Sequence, residues 1–227
     1  MIYLFSLLTI AAFFLALQIN KRLRSMLLNT FVLTVLILVA LLVVADIPYD
    51  TYMQGNAPLN NLLGVSVVAL ALPLYEQLRQ IAARWQAILI TTTVASLLAM
   101  ASGALMAILL GANPDIVATV ISKSVTTPIA MEISRHLGGL PAVAAVGVVL
   151  AGLQGSMFGY LVLKKLRVKN SEAMGLAIGS MSHALGTVTV MEVDQKAGSY
   201  SSISLVLCGI ISSILAPFVF KLIYFAL

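Results

Sequence analysis

Short clusters of ionisable residues divide this 227-residue chain into apolar runs, several of them about twenty residues long, the length that crosses the hydrocarbon core of a bilayer. Only 9% of the residues are charged while 61% are hydrophobic, too little polar surface to clothe a water-soluble fold. The short strictly alternating segments of a membrane barrel are absent from the sequence. The pattern predicts an all-α polytopic membrane protein, a single integral membrane domain over residues 1–227. One cysteine supplies neither a disulfide framework nor a cysteine-built zinc site, and no metal or cofactor is expected. The net charge of +5 reads as a topology signal, so nucleic acid is not an expected partner.

Residues 1–20 are uncharged and are followed by Lys21, Arg22 and Arg24. A signal peptide would carry its positive charges first, so the segment is read as a mature span. Residues 25–45 form a second run, 46–61 a turn-rich loop without Lys or Arg, and 62–75 a compressed crossing carrying Pro73. A span over 85–110 completes an N-terminal section of about 1–112. Residues 116–133 are only moderately apolar, 142–163 form a strong span that makes 116–163 one section, and Lys164, Lys165, Arg167 and Lys169 follow. Residues 173–193 are again rich in Gly and Ser, and 200–224 is the last span, closing a section of 173–224.

If every segment crossed, the Lys164–Lys169 cluster would face away from the Lys21–Arg24 and Arg79–Arg84 clusters, against the positive-inside rule. Making 116–133 re-entrant from outside, and 173–193 re-entrant from inside, puts all 13 Lys and Arg except Lys123, Arg135 and Lys221 on the cytoplasmic side. The expected topology is six full transmembrane helices plus two re-entrant broken hairpins, with both termini outside.

The two hairpins also align at an offset of 60. Residues 122–133, SKSVTTPIAMEI, meet residues 182–193, SHALGTVTVMEV, with Ser, Thr, Met and Glu coinciding and Lys123 facing His183. Glu is scarce in this chain, so its coincidence indicates duplication. One crossing separates the units, which makes them an inverted repeat, the arrangement around which secondary transporters build a mid-membrane site.

Lys123 lies eight positions past Asp115, on the order of 12 Å deep at the helical rise. A lysine there marks either a structural ion pair, with Glu132 or Asp115 as partner, or an anion site. For the anion site, Ser122, Ser124, Thr126 and Thr127 supply hydroxyls, with Thr127 as N-cap and Pro128 opening a half-helix. In the second unit Ser182 and His183 form either a satisfied polar turn or a binding pair, with Gly186 permitting close approach and Thr187 as cap. His183 is also a candidate proton carrier. Glu132 and Glu192 either accept protons along the path or sit solvated at the interface, and Asp194 is read as solvated. Small-residue patches at 101–104 and 147–159 predict close helix contacts within or between subunits, and hence a homo-oligomer. No His-Glu-x-x-His, Gly-x-Ser-x-Gly or phosphate loop is present, so an enzyme is not expected.

The segments LALPLY (70–75), KSVTTPIAM (123–131) and SHALGT (182–187) resemble the LrgB/CidB family over nearly the whole chain. That resemblance implies a multi-pass protein of the bacterial inner membrane. It implies one of two activities: carriage of small carboxylates such as glycolate, glycerate or pyruvate, as in the plastid relative, or antiholin-like control of murein hydrolases with a small LrgA/CidA-type membrane partner. Family members commonly carry Gly-Thr-Ala-Arg where this chain has Gly186, Thr187, Val188 and Thr189, so the family's arginine contact is not expected at Thr189.

Overall fold

In lipid every backbone polar group must be satisfied internally, and a chain this apolar achieves that as helix. The computed structural model describes residues 3–23, 30–69, 72, 75 and 78–226, and shows no strand among them. Arg24, Glu76, Pro73 and most of the 70–75 motif lie outside the described residues. The contacts divide the chain into two compact units, Met1–Ser66 and Val67–Leu227.

In the first unit, α1 (Leu4–Leu23) packs on α2 (Thr30–Val44), and α3 (Tyr49–Gly55) and α4 (Ala57–Ala69) follow. The stretch expected as a turn-rich loop is mostly helix. Asp46 at φ 50° breaks the chain direction, Pro48 sits at the N-cap of α3 where its missing N–H costs nothing, and α3 leaves the line of α2 by 119°. Phe5 meets Tyr52 edge to face at 5.7 Å, and Thr9 Oγ1 lies 2.8 Å from the Tyr52 hydroxyl, tying α3 to α1.

In the second unit, which takes in the end of α4 from Val67, α5 (Leu78–Ala83) and the long span α6 (Trp85–Leu109) follow. The first re-entrant hairpin follows as expected. Its arms are α7 (Pro114–Val120) and α8 (Thr127–His136), and two tight turns at 121–126 form its tip. The arms run antiparallel: Ser122 Oγ donates to the Ala130 carbonyl, and Thr119 Oγ1 accepts from Leu140 N at 2.8 Å where the chain returns to the mouth. The span α9 (Pro141–Lys165) crosses next, widened by a π turn at Gly155–Gly159.

The segment α10 (Ser171–Val193) has the length and hydropathy of a span, but His183 at φ 42°, ψ −143° folds it in two. Asp194 is hydrogen-bonded by Ser171, so the two ends meet. Against α11 (Gln195–Ala226), the first arm pairs Gly175 with Ala197 and Gly179 with Ser201, both numbers rising together. The second pairs Thr187 with Ser201 and Met191 with Gly198, in opposite order. The arms are therefore antiparallel and the segment is a hairpin.

Arg84 at the start of α6 reaches Glu172 at the mouth of the second hairpin, whereas the first hairpin opens beyond the far end of α6. The two hairpins thus enter from opposite ends of the unit, the inversion read from the repeat. A core of Met100, Ala104, Val117, Ile121, Val125, Ala130, Ile133, Val148 and Ala216 joins α6, the first hairpin, α9 and α11.

Candidate functional site

The two tips line a common cavity of about 350 Å³, within the range of small-molecule sites. Lys123 and Ser124 come from the first tip, Ala177, Ile178, Met181 and Ser182 from the second hairpin, and Gln154, Gly155, Phe158 and Gly159 from the widened part of α9. Among the lining residues Lys123 carries the one formal charge. Its Nζ donates to the Ala99 carbonyl of α6 at 3.1 Å, and no carboxylate lies within ion-pair reach of it among the described residues. The structural ion pair with Glu132 or Asp115 is not formed: Glu132 pairs with Arg135 at 2.8 Å on the exposed flank of α8, and Asp115 is exposed at the mouth.

His183 occupies the matching place in the second tip with the same kind of partner. Its Nε2 lies 2.7 Å from the Val148 carbonyl of α9, and since a carbonyl only accepts, Nε2 carries the hydrogen. Both contacts use one local device. The accepting carbonyl lies four residues before a glycine, Ala99 before Gly103 and Val148 before Gly152, and the missing side chain opens the helix surface to the incoming group. A Cβ on Gly103 would stand 3.2 Å from Lys123 Nζ; one on Gly152 would overlap the His183 ring. Sequence reasoning took Gly103 and Gly152 only as helix-packing residues.

The capping assignments need correction. The residue flanking α8 with extended backbone is Thr126, at ψ 150°, one place before the expected Thr127, and it makes no side-chain cap bond. Thr126 Oγ1 is instead buried without a partner. Thr187 is no cap either, because the second tip breaks at a single residue and helix resumes at once. Thr187 Oγ1 bonds the His183 carbonyl at 2.8 Å and shares a hydrogen bond with Ser201 at 2.7 Å. A Cβ on Gly186 would run into the Ser182 side chain of its own hairpin. Ser122 and Ser182 are buried and bonded to backbone carbonyls within their own hairpins. Glu192 is exposed near the mouth, and Thr189 bonds the Leu185 carbonyl. Asp194 is a cap rather than a merely solvated group, accepting from Ala197 N at 3.0 Å.

Charge at the mouth of the second hairpin is organised around Glu172, held by Arg84 at 2.6 Å and Lys196 at 2.9 Å. The Lys196 hydrogen bond, with Arg84 adding to it, keeps the Glu172 carboxyl below the ordinary carboxylate range; the Ser171 hydrogen bond does the same for Asp194.

The LrgB-like family model matches residues 9–222. The chain is 73% identical over 224 residues to an uncharacterized protein of Haemophilus influenzae, covering 99% of this chain and 97% of the relative. It is 39% identical to the uncharacterized protein YxaC of Bacillus subtilis over 94% of this chain and 93% of the relative. It is 31% identical to the holin-like protein CidB of Staphylococcus epidermidis over 96% and 95%. No solved structure matches.

Proposed function

Because the chain belongs to the LrgB-like family of multi-pass membrane proteins, we propose that it carries small monocarboxylate anions of the glycolate, glycerate or pyruvate kind, by alternating access around the two hairpin tips. The observation that carries this reading is Lys123: an ammonium bonded to one backbone carbonyl, with no carboxylate within ion-pair reach among the described residues, on the wall of a cavity sized for a small solute. An unpaired cation in the membrane interior is costly, and a transient carboxylate ligand offsets that cost. Ser124 and Ser182 supply hydroxyls beside it; Ser122, Thr126, Thr127, Gly186 and Thr187 shape the tips, and His183 holds the second tip to α9. The reading puts the protein in the bacterial inner membrane with both termini outside, as a carrier rather than an enzyme, and includes assembly as a homo-oligomer.

The test is uptake of two- and three-carbon hydroxy and oxo acids into proteoliposomes holding this chain alone. Saturable uptake is expected, falling at least about 100-fold in Lys123→Ala while the variant keeps its thermal stability. Full uptake by that variant would discard the site, and none by the wild type across the panel would discard carriage.

A second reading is favoured by the printed description of CidB as holin-like. In it the chain acts with a small LrgA/CidA-type partner to control murein hydrolases and lysis. Cells carrying Lys123→Ala separate the two: lysis that still depends on the chain when carriage is lost assigns the regulatory role to another surface.

A further inference from the structure

Behind the Lys123 tip lies a second, much smaller chamber of about 10 Å³, room for about one water-sized body. Five serines line it: Ser96 from α6, Ser122 and Ser124 from the first tip, Ser180 from the second hairpin and Ser212 from α11, with Ala99 and Met100 beside Ser96 on α6 and apolar side chains closing the rest. Nothing in the proposed carboxylate site uses Ser96 or Ser212. Ser96 is 2% exposed and its Oγ has no hydrogen-bond partner, an arrangement buried hydroxyls rarely keep without a ligand.

The polarity of the chamber is that of a cation site. Ser122 directs its hydrogen to the Ala130 carbonyl, and Ser180 uses its own within the cluster formed with Ser204 and the Leu176 carbonyl. Both hydroxyls therefore turn lone pairs toward the chamber. The Ala99 carbonyl, which accepts from both the Lys123 ammonium at 3.1 Å and Ser102 Oγ at 3.2 Å, shows that a cation is accepted at this wall. The first arms of both hairpins also end here, at Ile121–Ser122 and near Ser180, and carboxyl-terminal helix ends favour positive charge. Broken helices in transporters hold coupling cations by freed carbonyls and half-helix ends, and serine lone pairs add oxygen ligands of the same hard kind.

We propose that this serine chamber binds one sodium ion, and that the ion and the Lys123 ammonium compete for the Ala99 carbonyl. Ser124 lines both the chamber and the larger cavity, so the two sites share a wall. A carboxylate in the larger cavity draws the ammonium off Ala99 and frees the carbonyl for sodium; sodium in turn displaces the ammonium toward the anion. Anion and cation then load together. The ion site follows from the chamber alone, and its coupling role rests on the carriage reading.

Two measurements on the full chain test it. In detergent, sodium chloride is titrated against choline chloride at constant ionic strength while thermal unfolding and bound radioactive sodium are followed. A saturable rise in Tm and about one sodium per chain are expected, because a ligand that binds only the folded state stabilises it. Ser96→Ala and Ser212→Ala should each move the sodium midpoint upward at least about tenfold with Tm in choline unchanged, and Ser202→Ala, outside the chamber, should leave it alone. No sodium-specific binding, or binding indifferent to Ser96 and Ser212, overturns the site and leaves the chamber to water. In proteoliposomes the expected result is carboxylate uptake that requires sodium. Uptake indifferent to sodium overturns the coupling while sparing carriage; sodium binding without any uptake overturns carriage while sparing the site.

Discussion

The two hairpin tips descend from one pattern and dock in one way, yet one is open and the other closed. At the first tip six residues of turn let a long side chain reach Ala99 across the corner of a cavity, and Lys123 stays partly accessible. At the second tip the chain reverses at one residue, and the His183 ring is 6% exposed, sunk into the notch left by Gly152. A lysine on a four-carbon stem can leave its carbonyl without disturbing the backbone that carries it. A histidine at φ 42° cannot: the positive φ costs about 1–3 kcal/mol and persists because surrounding contacts fix it. The same device therefore yields a releasable contact at one tip and a lock at the other.

The glycines test this contrast most severely. Gly152→Ala drives a methyl into the buried His183 ring and should cost about 1–3 kcal/mol, read as a lowered Tm in detergent. Gly103→Ala meets the end of the Lys123 chain and, at 3.4 Å, the Val120 carbonyl, and with the gain in helix propensity its stability, read from Tm, should stay within about 0.5 kcal/mol of wild type. Adding His183→Ala to Gly152→Ala should recover part of the loss, the non-additivity expected of touching residues. Equal penalties at the two glycines would erase the distinction between releasable contact and lock.

Threonines give a smaller effect of the same kind. Thr187 ties the second tip to α11 through Ser201, so Thr187→Val strands a buried hydroxyl and should cost about 1–2 kcal/mol. Thr126 at the first tip has a buried, unpartnered hydroxyl, and Thr126→Val should leave stability unchanged or raise it by about 0.5 kcal/mol. If Thr126→Val costs as much as Thr187→Val, the first tip is as firmly tied as the second.

How much of this could be read in advance follows from what charge and periodicity encode. Basic clusters at Arg79–Arg84 and Lys164–Lys169 call for segments that fold back, and the structure has antiparallel hairpins at both places; the Met-Glu coincidences at 131–132 and 191–192 pointed to the duplication. The docking notches escaped because they lie at unequal distances from their tips, Gly103 twenty residues before Lys123 and Gly152 thirty-one before His183, so no single offset aligns them. The caps were misplaced by one residue at Thr126 and wholly at Thr187, since a tip's φ and ψ depend on what it packs against. Ser96 and Ser212 sit in apolar spans where a lone serine satisfies itself on the preceding turn, and only the folded chain brings them to one chamber.

The mouths of the hairpins carry the comparison to its smallest term. At the first mouth Glu132 pairs with Arg135 one turn away, both side chains more than half exposed, and such a pair contributes little. At the second, Glu172 joins three segments by holding Arg84 and Lys196, and its pKa is depressed by those bonds. A depressed carboxyl stabilises the fold above the unfolded pKa of about 4 and loses that contribution as pH falls through the lower folded value. Glu172→Gln should therefore lower Tm slightly at neutral pH, with the gap to wild type closing as the medium is acidified below about pH 4. Glu132→Gln, which breaks only an exposed pair, should leave Tm at neutral pH unchanged. A Glu172→Gln deficit that persists in acid would mean that Glu172 acts by packing, and that the second mouth is no more electrostatic than the first.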